Sequence, residues 1–171
     1  MKQIRLAKIE DAKDIALLGR ITFNETFGAL FKDPEDLRTY LNQTFSVKKI
    51  ASSLGKTNNV FWIAFVDGLP VGYAKLRLKS PTSFMKQENV SQLQKIYVLK
   101  DFLSMKIGKR LQEVLISEAA KNGSQEIWLS VLESNQRAIR FYEKNDFKTV
   151  GEHKFSIGKE TFDFVAMSKQ L

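Results

Sequence analysis

The sequence predicts an α/β protein in which helices flank a mixed, mostly antiparallel β-sheet. Three observations lead to this prediction: apolar residues at helical spacing near the start, two adjacent segments rich in aromatic and β-branched residues, and one strand–helix–strand unit in the second half. At 171 residues the chain is long enough to bury a substantial core, so we expect a single domain over residues 1–171.

The first elements are a short alternating strand and three helices. Asp33 followed by Pro34 is a typical helix start, because proline is favoured in the first turn. The first helix has four apolar residues at roughly helical spacing that should face the core: Ile15, Leu18, Ile21 and Phe27. The predicted ranges are 3–7 for the strand and 11–27, 33–45 and 47–54 for the helices.

The rest of the chain contains the remaining strands. Segments 59–66 and 70–78 flank the four residues Asp67-Gly68-Leu69-Pro70 and predict a β-hairpin, which a polar loop over 80–90 follows. An amphipathic helix after residue 106 has an apolar face of Ile107, Leu111, Val114, Leu115 and Ala119. The further predicted elements are strands over 92–98, 126–132, 147–155 and 161–169 and a helix over 135–145.

Composition excludes several classes of function. Without cysteine, and with His153 as the one histidine, we expect no disulfide, no cysteine nucleophile and no metal site. No apolar run approaches the roughly 20 residues that span a bilayer, and the N-terminus is too polar for a signal peptide. We therefore expect a soluble, cytoplasmic protein without a membrane partner. The net charge of +8 suits an acidic or phosphate-bearing partner, although solubility explains it equally well.

The turn FLSMKIGKR, residues 102–110, joins a buried strand to the amphipathic helix. The first turn of a helix presents unpaired N–H groups that favour an anion, and Gly108 lets a ligand approach the backbone. The turn is not a Walker A loop, which would need glycine at Leu103 and Ser or Thr at Arg110. Glycine at such a turn also has a purely structural explanation, so the turn alone is weak evidence for a phosphate site.

The segment NQRAIRFYEKNDF, residues 135–147, resembles the coenzyme-binding region of the GNAT superfamily of acetyl-CoA-dependent N-acetyltransferases. Three shorter strings, FNETF, YLNQTFS and QKIYVLKDF, are similar to PaiA-like spermidine/spermine N-acetyltransferases of bacteria. The order of elements agrees over essentially the whole chain, which implies a GNAT-type acyltransferase fold. The family pattern Asn-x-x-Ala-x-x-Phe-Tyr-x-Lys-x-Gly-Phe is matched here by Asn135, Ala138, Phe141, Tyr142, Lys144 and Phe147.

This resemblance implies acetyl-CoA as co-substrate, with its pyrophosphate in the turn and its pantetheine arm along the preceding strand. Leu103 and Lys106 replace the Gln and the first Gly of the family's pyrophosphate loop. Because backbone amides bind phosphate whatever the side chain, we expect binding to survive, with Lys106 adding a contact. Asp146 replaces a glycine and should adopt a left-handed conformation. The residues expected at the coenzyme are Ile96, Tyr97, Val98, Leu103, Ser104, Met105, Lys106, Ile107, Gly108, Lys109, Asn135, Phe141 and Lys144.

The resemblance further implies direct attack of a primary amine on the thioester through a tetrahedral intermediate. An alkyl ammonium with a pKa of about 10.4 must first lose a proton. Tyr142 matches the family's general acid, although the same residue also suits a core-facing aromatic stripe. A backbone N–H near Tyr97 or Val98 should polarise the thioester carbonyl.

The general base and the acceptor are less well defined. Gln94 stands where the polyamine-type pattern has a glutamate, and a neutral amide cannot serve as a base. Glu25, Glu133, His153 or a chain of waters remain as candidates, and we expect Glu25, Gln94 and Glu133 near the acceptor. The resemblance suggests a polyamine, for which a cluster of acids, Glu25, Asp33, Glu35 and Asp36, could form a wall. A solvated helix face explains these charges equally well.

Three readings compete with a small-amine N-acetyltransferase. The acceptor could be a protein or peptide amine, or the chain could be a coenzyme A-binding sensor without turnover. A nucleic-acid-binding module would use the basic surface, but the basic residues are scattered and no recognition motif is present, so we expect no nucleic-acid partner. The sequence leaves a monomer and a homodimer equally open.

Overall fold

The computed structural model describes residues 1–171 and places seven strands in one sheet with five α-helices. The strands are β1 (Lys2–Leu6), β2 (Asn59–Val66), β3 (Leu69–Arg77), β4 (Val90–Val98), β5 (Glu126–Leu132), β6 (Lys148–Ile157) and β7 (Glu160–Gln170). The helices are α1 (Ala12–Phe27), α2 (Pro34–Thr44), α3 (Val47–Leu54), α4 (Ile107–Lys121) and α5 (Gln136–Glu143). None of these helices is both long and apolar enough to cross a bilayer.

The sheet has the order β1-β2-β3-β4-β5-β7-β6. Every pair of neighbouring strands is antiparallel except β4 and β5, which run parallel. A helix, α4, joins these two strands, as a parallel connection requires. This mixed, mostly antiparallel sheet flanked by helices confirms the predicted fold class.

Two hydrophobic cores lie on opposite faces of the sheet. On one face, which we call the α1 face, Ile15 of α1 and Phe45 at the end of α2 pack with Phe61, Ile63 and Tyr73 of the sheet. On the other, the α4 face, Leu111, Leu115 and Tyr142 of the helices pack with Leu76 and Leu93. The two layers of helices thus hold the middle strands from both sides.

Two details of the predicted elements are wrong. Ile21 was expected to face the core but is 39% exposed, because the buried stripe of α1 runs through Gly19, Thr22 and Phe23 instead. The stripe includes Gly19 because the ring of Phe45 packs where a side chain at this position would lie. The hairpin turn is also tighter than predicted, since β3 begins at Leu69 and only Asp67 and Gly68, both at positive φ, connect the strands.

The backbone at Lys79, directly after β3, is strained. Its φ is +49°, and its exposed side chain makes no hydrogen bond or ion pair that would hold this conformation. We expect Lys79→Gly to stabilise the protein by about 1 kcal/mol, because glycine has no Cβ to clash in the left-handed region. Thermal unfolding should shift upward by roughly 2–4 °C. Lys79→Ala is the control: it removes the same charge but keeps the Cβ, and an equal gain from it would contradict the explanation.

Candidate active site

The sheet opens between β4 and β5. The two strands pair only at their beginnings, where Val90–Gln92 lies beside Glu126–Trp128, although β4 continues to Val98 and β5 to Leu132. Beyond the paired segment the edges of both strands border a gap. We call this space the β4–β5 gap.

The backbone of β4 turns free hydrogen-bonding groups toward the β4–β5 gap. Leu99 N–H donates to Val71 O on the side of β3 (2.9 Å), and the peptide groups of an antiparallel strand alternate in direction. Tyr97 therefore faces β3 through its backbone, whereas Ile96 and Val98 face the gap. Of the two peptide groups predicted to polarise the thioester, Val98 points the required way and Tyr97 does not.

The pairing of β3 with β4 contains a β-bulge close to the point where β4 diverges from β5. Lys75 and Leu76 of β3 pair with Lys95 and Leu93, so Gln94 is the extra residue of β4. Its side-chain Oε1 is buried without a hydrogen-bond partner. An unpaired buried acceptor costs free energy unless a ligand satisfies it, so Gln94 is suited to accept a hydrogen bond from a bound substrate. As an amide it takes no proton.

The segment before α4 forms an anion-binding helix start. A 3-10 helix over Lys100–Met105 ends at Lys106, which adopts φ +59° where the family loop has glycine. Arg110 N–H is the first in α4 to bond within the helix, to Lys106 O. The preceding amides of Ile107, Gly108 and Lys109 have no backbone acceptor and point outward from the helix start, which favours phosphate.

The side chains of this segment differ in what they can contribute. Ile107 is 2% exposed, so only its backbone is available, and Met105 O already accepts a hydrogen bond from Lys2 Nζ (3.0 Å). Leu103, Ser104 and the charged ends of Lys106 and Lys109 are exposed. The predicted coenzyme turn is therefore assembled in one place, mostly from backbone groups.

The surroundings of Gly108 show whether glycine is needed here for the fold or for binding a ligand. A Cβ at this position would meet only Ile96 Cγ2, at 3.9 Å, so the fold does not need glycine here. We expect Gly108→Val to leave thermal stability nearly unchanged but to weaken coenzyme A binding by about tenfold or more, because the side chain would occupy the approach to the α4 amides. Calorimetric titration with coenzyme A measures the affinity. Gly55→Ala at the end of α3, another glycine with negative φ and open surroundings, is the control, and an unchanged affinity in the valine variant would contradict this placement.

The predicted residues of α5 take three different positions. Asn135 is the N-cap of α5 and accepts a hydrogen bond from Ala138 N–H through Oδ1 (3.2 Å), which leaves its Nδ2 available. Phe141 is half-buried against Tyr142, while Lys144, at the end of the helix, is exposed. Asp146 adopts φ +67°, the left-handed conformation expected where the family has glycine.

Tyr142 and Tyr97 belong to the hydrophobic cores on opposite faces of the sheet. Tyr142 is 9% exposed and belongs to the core of the α4 face, whereas Tyr97 packs with the core of the α1 face. Burial raises the pKa of Tyr142 well above its usual value, and the phenol of Tyr97 raises this pKa further. Burial also raises the pKa of Tyr97 to about 12. Both phenols stay protonated at neutral pH because both pKa values are raised.

The three candidate bases lie in different parts of the structure. Glu25 is exposed and accepts a hydrogen bond from Lys100 N–H (3.2 Å), beside the coenzyme turn. Glu133 is exposed just beyond β5. His153 is half-buried on β6, and its Nε2 is hydrogen-bonded to Ser130 Oγ (2.7 Å) on β5, the strand that borders the gap.

The ring of His153 is fixed in position by aromatic neighbours. It stacks on Phe164 with centroids 5.4 Å apart and lies 5.9 Å from Phe84, which belongs to the loop between β3 and β4. The hydrogen bond to Ser130 directs Nε2 toward β5, the strand that borders the β4–β5 gap. Sequence reasoning missed Ser130, because nothing in its neighbourhood along the chain indicates a partner on β6.

The acids expected to form a polycation wall are engaged elsewhere. Asp33 caps α2 through Glu35 N–H (2.9 Å) and pairs with Lys159 Nζ (3.0 Å), and the backbone bond, followed by the lysine, lowers its pKa. Asp36 accepts from Lys159 N–H (2.8 Å), and Glu35 pairs with Arg38. The structure therefore does not bring these carboxylates together as a free cluster. No group of three or more acidic or histidine side chains is placed to hold a metal ion.

Two basic residues on the α1 face were not predicted. Lys75 of β3 lies directly opposite Lys95 of β4, and both side chains are half-buried beside aromatic rings. Burial, followed by the charge of Lys95, lowers the pKa of Lys75 to about 8. Burial lowers the pKa of Lys95 as well. Only the register of the two strands reveals this pair.

A sheet that opens at a free strand edge, beside a helix start with unpaired amides, suits an extended, phosphate-bearing ligand. The acetyltransferase (GNAT) family matches residues 23–147, and the chain belongs to this family. It is an acetyl-CoA-dependent N-acyltransferase, which confirms the resemblance found in the sequence.

Relatives and solved structures agree with this assignment. An uncharacterized N-acetyltransferase from the pepI 3′ region of Lactobacillus delbrueckii subsp. lactis is 29% identical over 95% of this chain and 93% of the relative. The spermidine N(1)-acetyltransferase of Thermoplasma acidophilum is 24% identical over 85% of this chain and 88% of its own. The structure of the PaiA N-acetyltransferase of Thermoplasma acidophilum in complex with coenzyme A shares the fold, with a TM-score of 0.80, 22% identity and coverage of 100% and 99% of the two chains.

Proposed function

We propose that the chain acetylates the primary amine of a small molecule by direct attack on acetyl-CoA. The observation that carries this proposal is the β4–β5 gap, which the free peptide groups of Ile96 and Val98 face, with Tyr142 in the core of the α4 face. Acetyl-CoA supplies the activated acetyl thioester. The α4 amides fit its phosphates and the edge of β4 fits its pantetheine amides, somewhat as an added strand would.

Each step of the transfer has a candidate group in the chain. The amine nitrogen adds to the acetyl carbon to form a tetrahedral intermediate, and the N–H of Ile96 or Val98 stabilises the negative charge on its oxygen. The carbonyl then re-forms as the carbon–sulfur bond breaks. Tyr142 donates its phenolic proton to the departing sulfur. Its raised pKa means that the phenol carries this proton at neutral pH.

His153 is our candidate for the base, acting through Ser130. The Ser130 hydroxyl can donate to His153 Nε2 and accept a proton from the amine or from a water beside it, so that the surplus proton moves to the imidazole. Histidine is the side chain that titrates nearest to neutral pH. Gln94 accepts a hydrogen bond at its free Oε1 and takes no proton.

The acceptor is proposed as a small amine, with two other readings as alternatives. Spermidine and spermine are the acceptors that the resemblance suggests, and the Thermoplasma relative is named for spermidine. A protein or peptide amine would need a surface groove in addition to the gap. A coenzyme A-binding sensor would retain the gap and the α4 amides without turnover.

Thiol release from acetyl-CoA, detected with a disulfide dye, tests the proposal directly. The protein adds no background because it has no cysteine. The panel contains spermidine, spermine, small aminated metabolites and a lysine peptide. Release with a small amine supports the proposal, and release with the peptide alone supports the protein-directed alternative. Coenzyme binding in a thermal-shift assay without any release would favour the sensor, and absence of both would overturn the acetyltransferase proposal.

A further inference from the structure

Lys75 and Lys95 form a pair of like charges in the middle of the α1 face. They are register partners on β3 and β4, so their Cβ atoms lie within about 5.5 Å of each other. Lys75 Nζ lies 5.3 Å from the ring centroid of Phe61, and Lys95 Nζ lies 5.0 Å from that of Phe45 and 5.2 Å from that of Tyr97. The aromatic rings thus hold both ammonium groups in place at the sheet.

No carboxylate neutralises this pair. Neither lysine takes part in any of the ion pairs of the structure, and the charged groups that affect Lys75 are all basic: Lys95, Arg77, Lys56 and Lys49. Like charges directly opposite on neighbouring strands destabilise a sheet. Half-buried cations without a counter-ion are costly, and cation–π contacts offset only part of that cost. The protein therefore maintains an unfavourable charge arrangement at this place.

The position of the pair connects it to the reaction. Lys95 follows the bulge residue Gln94 and precedes Ile96, whose peptide groups face the β4–β5 gap. Its ammonium lies over the ring of Tyr97, which follows Ile96 on the same strand. The pair therefore lies on the α1 face directly before the part of β4 whose free edge borders the gap.

We propose that Lys75 and Lys95 bind an anionic group, a carboxylate or a phosphate ester, on the same small molecule that carries the acceptor amine. The inference rests on the proposed function, since it assigns the acceptor of that reaction. A bound anion would satisfy both ammonium groups at once and position the amine beside Gln94 and Ile96. A polyamine, which carries only positive charge, would be repelled from the same place.

The test compares amines with and without an anionic group, each at the same concentration of unprotonated amine. Three pairs serve: 4-aminobutyrate with 4-aminobutanamide, glycine with glycinamide, and phosphoethanolamine with ethanolamine. We expect the wild-type protein to favour the anionic member of at least one pair by about tenfold or more in kcat/KM. The pair that responds distinguishes a carboxylate from a phosphate. Equal values in every pair, or a preference for spermidine, would overturn the inference while leaving the acetyltransferase proposal intact.

Variants separate anion binding from other roles of the lysines. Lys75→Met and Lys95→Met keep the aliphatic stem against the aromatic rings but remove the charge. We expect each variant to lose most of the preference for the anionic amine, because the KM for that amine rises. The value of kcat/KM for the neutral amine should change by less than about threefold. Lys13→Met, on the exposed side of α1, is the matched control. A fall in kcat that is equal for anionic and neutral amines would indicate proton transfer by lysine and would overturn the inference.

If none of these amines is acetylated, binding of the anionic amines can still be measured directly. With coenzyme A saturating the phosphate site, 4-aminobutyrate and phosphoethanolamine are added in separate thermal-shift experiments. We expect one of them to raise the Tm of the wild-type protein but not that of the Lys75→Met/Lys95→Met variant. Equal shifts in both proteins, including no shift in either, would overturn the inference. The proposed function fails separately, through the absence of thiol release with every amine.

Discussion

Tyr142→Phe is expected to lower kcat by about 10²–10⁴, the usual contribution of a positioned general acid. The hydroxyl is lost but the ring remains, so the contacts with Phe141 and Phe147 at 5.2 and 5.5 Å are retained. The affinity for coenzyme A should change little, because the turn before α4 is untouched. Steady-state thiol release and calorimetric titration measure the two quantities on the same protein.

Tyr73→Phe is the matched control for this substitution. The Tyr73 hydroxyl is wholly buried on the α1 face and has no hydrogen-bond partner, and burial raises the pKa of this phenol well above its usual value. Removing an unpaired buried hydroxyl is expected to stabilise the protein by about 1 kcal/mol while activity is retained. If both variants lost activity equally, the effect would be one of aromatic packing, and Tyr142 would not be the general acid.

The outline of the fold could be predicted because its signals are local. Segments 59–66 and 126–132 are continuous runs of apolar and β-branched residues between turn residues, and β2 and β5 have these limits. The start of α2 follows from Asp33 and Pro34 in the same way. Ile21 was misplaced because counting apolar residues ignores Gly19, which faces the core through its small size and not through its hydrophobicity.

The chemistry of the site depended on contacts between distant residues and was predicted less well. Tyr142 and Gly108 lie in strings with a recognisable pattern, so the sequence indicated both. Lys75 and Lys95 face each other only because β3 and β4 pair in one register, and a shift by one residue would move either lysine to the other face. The bond between Ser130 and His153 likewise crosses β7 and has no signal along the chain.

The acids of α2 show how a charge pattern misleads without its partners. Asp33, Glu35 and Asp36 suggested a wall for a polycation, yet Asp33 and Asp36 bind Lys159 in the turn between β6 and β7. Their role is to attach this turn to α2 and to cap the helix. The basic pair on the α1 face, unlike these acids, has no ion-pair partner.

His153→Gln is expected to lower kcat/KM by about 10²-fold at pH 7, because a general base contributes 10²–10⁴ and water can replace part of it. The loss should shrink as the pH rises toward 9.5, since the amine substrate then supplies its own unprotonated form. Tyr142 remains protonated over this range because its pKa is raised, so the general acid does not limit the comparison. A pH profile of thiol release for both proteins measures the convergence.

This alkaline recovery distinguishes a base from a residue that only supports the fold. A purely structural loss at His153, which stacks on Phe164, would lower activity by the same factor at every pH. Ser130→Ala should reproduce the pH-dependent loss, because it removes the hydroxyl through which the imidazole reaches the gap. Glu25→Gln and Glu133→Gln, which change the other two candidates, should leave the profile unaltered. A pH-dependent loss in either glutamine variant, with none in His153→Gln, would assign the base to that carboxylate and make Ser130 and His153 part of the scaffold.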